Sequence, residues 1–239
     1  MEAQPFILFG VHHLITLLVV LVVTILVPLF FKKFLNNIRD KFGYFLAAIL
    51  ICDFLIKPYY WSHFFDYELI EVFPLHMCSL TSFFIAIFLL TRIKTFYEIS
   101  FFWGIGGGLM ALLQPDTKYT FPDIYFMIFY LAHGTMWLAI SYSTLTLNNR
   151  PTLESLKKVL VISFVCLIVI YVINWLLGPP ANYWYLGARP NGAFIMDFMP
   201  KPPKHIPIVV ILGLLAFTLT YLPYWIYDKV KSKGAELAE

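Results

Sequence analysis

Six histidines, three cysteines and a handful of acids and amides stand out because the chain around them is so apolar. A histidine changes charge near neutral pH and serves as acid, base or ligand. His133 sits inside a long apolar run with few other strong polar groups. Gly134 follows it, and a glycine lets another backbone or a ligand come close. His133 is therefore the first candidate for a general base. The plain alternative is a histidine bonded to a neighbouring helix carbonyl. His76, in Pro74-Leu75-His76-Met77-Cys78-Ser79, is the second catalytic candidate. At helical spacing His76 and Ser79 share a face, whereas Cys78 points elsewhere and reads as packing. His12 and His13 are adjacent, so only one can face an interior. Thr16 lies one turn from His12. Asp53 precedes Lys57 by four residues, the favourable order for a helical ion pair. A proton relay or a substrate contact is the other reading of Asp53. His12, Gln114, Asn174, Asn182, Tyr183 and Asp53 form the substrate-binding set. Gln114, Asn174 and Asn182 are suited to donate hydrogen bonds to a developing oxyanion.

What holds these residues is legible from composition. Of 239 residues, 60% are hydrophobic and 13% charged, with a mean hydropathy of +0.78. A soluble domain is about 45–50% apolar and about 25% charged, so a soluble globular fold is excluded. Seven apolar runs cover Phe6–Phe31, Gly43–Tyr60, Val72–Thr91, Tyr97–Leu113, Pro122–Leu147, Ser155–Leu177 and Ile206–Tyr227. A membrane helix needs roughly 20 such residues. The expected architecture is all-α: one transmembrane domain over residues 1–239, a bundle of seven membrane helices. Met1–Pro5 lacks the basic stretch of a signal peptide, so the first run reads as an uncleaved span.

Alternate connections differ in charge. Twelve Lys and Arg, including Lys32, Arg39, Arg92, Arg150 and Lys229, fall on one side, and five, including Lys57 and Arg189, on the other. The richer side is expected to be cytoplasmic, which puts the N-terminus outside and the C-terminus inside. Membrane lipids are the expected partners and the cell membrane the expected location. The net charge of +3 comes without a basic block, so no nucleic-acid partner is expected. Nothing in the pattern specifies an oligomeric state.

With that orientation the unusual polar residues fall in the outer half of the bundle, which suggests one outward-facing polar cavity. Gly104 and Gly108 form a GxxxG, which in membranes means close helix packing; no P-loop Lys-Ser/Thr follows it. The last run has no lysine for retinal, and no HxxxH or HxxxD occurs in any run. No metal or cofactor is expected: His12, His13, His76, His133 and Asp53 could supply the three or four ligands of a zinc site, but nothing in their spacing demands it.

The run Phe73-Pro74-Leu75-His76-Met77-Cys78-Ser79-Leu80 resembles the Pro-Leu-His-x-Cys-Ser motif of the bacterial YwaF-type integral membrane proteins. Ala111-Leu112-Leu113-Gln114-Pro115, His133-Gly134 and Asn182-Tyr183-Trp184-Tyr185-Leu186 followed by Pro190 are similar too. Asp197-Phe198-Met199-Pro200-Lys201-Pro202 departs from the Gly-Pro-Trp-Pro-like segment of that pattern. The family is distantly similar to a eukaryotic family that moves acyl chains into ether phospholipids, using a Cys next to a His after the same Pro. Here Leu75 holds the place of that Cys, and His76 matches the histidine. A further similar group, the androgen-induced membrane hydrolases, pairs a Thr with a His, for which Thr16 is a counterpart. The resemblance implies lipid acyl transfer or hydrolysis, with His133 or His76 as base and Ser79 or Cys78 as nucleophile. The other reading is a non-enzymatic transporter or binder of a lipid or small amphiphile.

Overall fold

The computed structural model describes residues 4–189 and 199–236. Among these residues the secondary structure is helical, with one isolated bridge between Pro5 and Tyr119 and no strand. The helices are α1 (Val11–Phe34), α2 (Arg39–Phe64), the single turn α3 (Leu69–Val72), α4 (Met77–Thr91), α5 (Lys94–Phe102), α6 (Gly108–Leu113), α7 (Ile124–Leu145), α8 (Leu153–Leu177) and α9 (Ile206–Glu236). A π-turn over Trp103–Gly107 fuses α5 and α6 into one rod. Six rods are long and apolar enough to cross a membrane: α1, α2 with its preceding turn, α5–α6, α7, α8 and α9. The remaining apolar helix, α4, has 15 residues. At 1.5 Å per residue it is about 22 Å long, against a hydrocarbon core of about 30 Å. The expected count of seven therefore depends on this short helix.

Boundaries move for local reasons. The first helix starts at Val11 rather than Phe6, because Phe6 N–H donates to the Lys118 carbonyl and Thr120 N–H to the Gln4 carbonyl. The third expected helix splits at Pro74: α3 ends at Val72, and α4 starts only at Met77 with His76 as its N-cap. The last helix runs to Glu236 instead of Tyr227. Side chains cap several ends. Asp123 accepts from the Phe126 N–H at the start of α7, and Thr152 with Ser155 forms a capping box on α8.

Burial separates the rods into two classes. Over its most apolar stretch α5–α6 is 56% buried, whereas α1 and α9 are 11% buried. Apolar side chains such as Leu18, Phe164 and Leu219 stay exposed because lipid, not water, would solvate them. The centre is made by α4, α5 and α7, with Ile85, Phe88, Phe102, Met136 and Tyr142 fully enclosed. Two glycines allow that proximity. A Cβ on Gly104 would lie 2.2 Å from Ile140 Cδ1, and one on Gly108 2.9 Å from Met136 Cε. The GxxxG thus seats the central rod against α7.

A lipid-facing rod needs polar anchors. Pro28 in α1 has no N–H, so the carbonyl of Thr24, one turn back, loses its helical donor. The Ser141 hydroxyl of α7 donates to that carbonyl, and Thr146 Oγ1 donates to the Pro28 carbonyl at 2.8 Å. At one end of the bundle, ion pairs join Arg92 to Asp40, Arg150 to Asp228 and Lys158 to the buried Glu98. That end carries the Lys- and Arg-rich connections.

Candidate active site

Three helices meet around a narrow polar cleft. Asp53 and Lys57 come from α2, Cys78, Ser79 and Ser82 from α4, and Ala132, His133 and Met136 from α7. The cleft has room for about one water molecule. A helix turns 100° per residue, so positions 78, 79 and 82 fall within one 100° arc of α4. All three reach the cleft for that reason. The shared face expected for His76 and Ser79 does not exist, because His76 precedes the first turn of α4. Cys78, expected to point elsewhere, lines the cleft together with Ser79.

His133 is buried. Its Nδ1 lies 2.8 Å from the Phe129 carbonyl on its own helix. A carbonyl only accepts, so Nδ1 carries the proton and Nε2 keeps its lone pair. Nε2 bonds to no other side chain or carbonyl among the described residues. The plain alternative, a histidine tied to a helix carbonyl, is thus half realised, and in a way that leaves a basic nitrogen free. The Phe129 ring stacks on the imidazole at 4.2 Å and limits its rotation. The expected Asp53–Lys57 ion pair is not closed: both side chains line the cleft, and the Lys57 ammonium lies over the Trp61 ring at 5.4 Å. Sequence reasoning passed over Ser82, one helical turn beyond Cys78. That i,i+4 spacing was the available signal.

The other candidates sit elsewhere. His76 Nε2 donates to the Glu71 carbonyl at 2.8 Å, and its ring meets Tyr183 edge-on at 5.2 Å. Asn174, buried, donates to the Tyr183 carbonyl and accepts from the Tyr183 N–H. The Tyr183 hydroxyl donates to the Ile70 carbonyl, and Trp184 Nε1 to the Leu75 carbonyl at 3.0 Å. Asn182 accepts from the Gly187 and Ala188 N–H groups and donates to the Ala188 carbonyl. Tyr183, Trp184 and His76 therefore join the 178–189 connection to the segment around Pro74, just before the start of α4, while Asn174 ties that connection to α8 and Asn182 braces it from within. Gln114 is the C-cap of α6 and does not line the cleft. His12 is exposed, and Thr16 spends its hydroxyl on the His12 carbonyl. The buried member of that pair is His13, which accepts from the Phe9 N–H and donates to the Leu112 carbonyl.

Tyr185 belongs to the same connection. Burial first, then the negative charges that Asp116, Cys78 and Tyr67 would carry beside it, push its phenol up to about 12. It stays protonated, a donor, at neutral pH. Among the described residues no cluster of three or more His, Cys, Asp or Glu is arranged to hold a metal. Pro190 and Asp197-Phe198, which bear on the resemblance above, lie outside the described residues.

No solved structure matches the chain. A protein of Treponema pallidum (strain Nichols), described as an uncharacterized protein, is 25% identical over 177 residues, which cover 74% of this chain and 69% of that relative. The model of the TMEM164 family matches residues 8–221, which include every helix that lines the cleft. That match does not single out the YwaF-type proteins. Extending from the first helix into the last, it shows that the chain belongs to the TMEM164 family, as a multi-pass helical membrane protein.

Proposed function

We propose that the protein is an enzyme of the cell membrane that transfers or hydrolyses lipid acyl chains, with Cys78 as nucleophile and His133 as general base. One observation carries this reading: a basic imidazole nitrogen and a thiol line the same water-poor cleft. His133 Nε2 takes the Cys78 proton, and the thiolate attacks the ester carbonyl of a lipid. The Lys57 ammonium and the Ser82 hydroxyl, on the same walls, supply hydrogen bonds to the oxyanion. Collapse expels the lipid alkoxide, which takes the proton back from the imidazolium and leaves a thioester on Cys78. His133 then deprotonates water or an acceptor alcohol, whose attack on the thioester releases acid or new ester and restores the thiol. Asp53 balances the Lys57 charge inside the bundle. His76, Asn174, Asn182 and Tyr183 act as positioning residues for the mouth of α4, and His12 and Gln114 have no direct part.

The YwaF-type likeness supports this chemistry, with Cys78 in the role that the acyl-transferring relatives give to the position of Leu75. In this reading α4 is the seventh span, the N-terminus is outside and the substrate enters from the outer leaflet. A second reading has one specific observation in its favour. Asp53 and Lys57 are ionisable groups in a spanning helix, as in a proton-coupled carrier of an amphiphile.

The test compares the lipids of cells expressing wild type, His133→Ala, Cys78→Ala and Ser79→Ala at matched levels. The expected result is an altered acyl-chain distribution with wild type and Ser79→Ala. His133→Ala should lower turnover by about 10²–10⁴-fold, and Cys78→Ala should abolish it. Unchanged lipids with wild type, together with a lipid that co-purifies, would overturn the enzyme in favour of the carrier.

A further inference from the structure

A second cleft lies at the opposite, Lys- and Arg-rich end of the bundle. It has a volume of about 250 Å3 and is lined by Arg39, Asp40, Phe88, Arg92, Leu147 and Asn149. Arg92 is the unusual member. It caps the C-terminus of α4 with φ 61° and ψ 14°, a left-handed backbone that favours glycine or asparagine. An arginine in that place is held by what its side chain does. Nη2 donates to Asp40 Oδ1 at 2.6 Å, and the guanidinium lies over the Phe88 ring at 5.8 Å. Nη1 is buried and has no hydrogen-bond partner.

A buried, charged N–H without an acceptor is costly, and native structures rarely leave one. The cleft beside it is too small for a drug-sized ligand but ample for an anion or a headgroup. Its charges are two arginines against one aspartate. Arg39 gives Nη1 to Asn36 Oδ1 at a long 3.3 Å, so its other donors stay available for the cleft. Asn149 uses its amide nitrogen on the Ser143 and Leu147 carbonyls, which fixes that wall. A planar guanidinium presenting parallel N–H groups matches the oxygens of a phosphate.

We infer that this cleft binds a phosphate group, with Arg92 Nη1 as the principal donor and Arg39 as the second cation. The phosphate is either a lipid headgroup of the adjacent leaflet or the free anion. The site is separate from the His133 cleft, and a failure of either leaves the other standing.

The test uses the full chain in detergent micelles. Thermal unfolding is followed against phosphatidic acid, diacylglycerol with the same acyl chains, and inorganic phosphate. The expected result is a rise in Tm with phosphatidic acid and none with diacylglycerol. Arg92→Asn, which suits the left-handed backbone but removes the guanidinium, should weaken the response at least about tenfold. Arg39→Gln should weaken it less, and Asp40→Asn, which removes the negative charge opposing a phosphate, should strengthen it. If inorganic phosphate alone gives the rise and competes with the lipid, the free anion is the source. If only the lipid acts, the headgroup is. Equal responses to phosphatidic acid and diacylglycerol would overturn the inference. So would a response to phosphate that none of the three substitutions changes, and Arg39→Gln and Asp40→Asn decide the matter should Arg92→Asn fail to fold.

Discussion

Asn174 illustrates how a side chain can look like a ligand contact and serve the scaffold instead. An amide near the end of an apolar helix is suited to bind an oxyanion, yet both of its polar atoms here go to the backbone of Tyr183. Asn174→Ala leaves that N–H and carbonyl without partners in a buried place. The expected loss is about 1–3 kcal/mol of stability, read as a lower Tm in detergent, with His133 chemistry impaired only as the 178–189 connection loosens. If Tm is unchanged while substrate affinity falls, the scaffold role of Asn174 is wrong. The residue types at the His133 cleft were legible in the sequence: His133, Asp53, Cys78 and Ser79 all stand out against apolar neighbours. Which of them meet was not. His76 and Cys78 exchange places because α4 starts only at Met77, after Pro74, which leaves His76 on the extended N-cap outside the helical face and Cys78 within its first turn. The amides could not be told apart from binding groups because an amide's partners, here the backbone of a connection nine residues on, lie outside any periodic pattern.

Helices were the most legible scale, since a stretch of roughly 20 apolar residues leaves the backbone few alternatives in lipid. The GxxxG also told its purpose, because small residues at that spacing have one main use between membrane helices. The π-turn at Trp103–Gly107 left no such mark. Gly104 sits in it, with Ile140 of α7 on one side and Thr81 of α4 on the other. Gly104→Leu must push both helices away. A destabilisation of about 1–3 kcal/mol is expected, seen as a lower Tm in micelles. An unchanged Tm would mean that the central rod is held by something other than this contact. The same substitution should reduce turnover, because α4 and α7 carry Cys78 and His133.

The distribution of charge governs the whole molecule. Arg39, Arg92 and Arg150 lie at one end of the bundle, where ion pairs join Arg92 to Asp40 and Arg150 to Asp228. The excess of Lys and Arg there predicts that this side is cytoplasmic. In a chain with Cys52, Cys78 and Cys166 replaced by Ala, Asp116→Cys should react with an impermeant maleimide on intact cells, and Glu154→Cys only after permeabilisation. The reverse pattern would invert the topology and move the His133 cleft to the inner leaflet. The sequence carried this asymmetry in plain counts, whereas the two clefts at opposite ends depend on which helices become neighbours, a property of no single segment.

The proline in α1 sets a clock on assembly. Until Ser141 is made, the Thr24 carbonyl faces lipid with no donor, and more than a hundred residues of chain must follow Pro28 first. At ordinary rates of synthesis that interval is on the order of ten seconds. During it α1 is an inserted but unattached helix, carrying a polar group that quality-control factors in the membrane can recognise. Completion of α7 ends that exposure. The end of that exposure coincides with delivery of α7, the helix that bears His133.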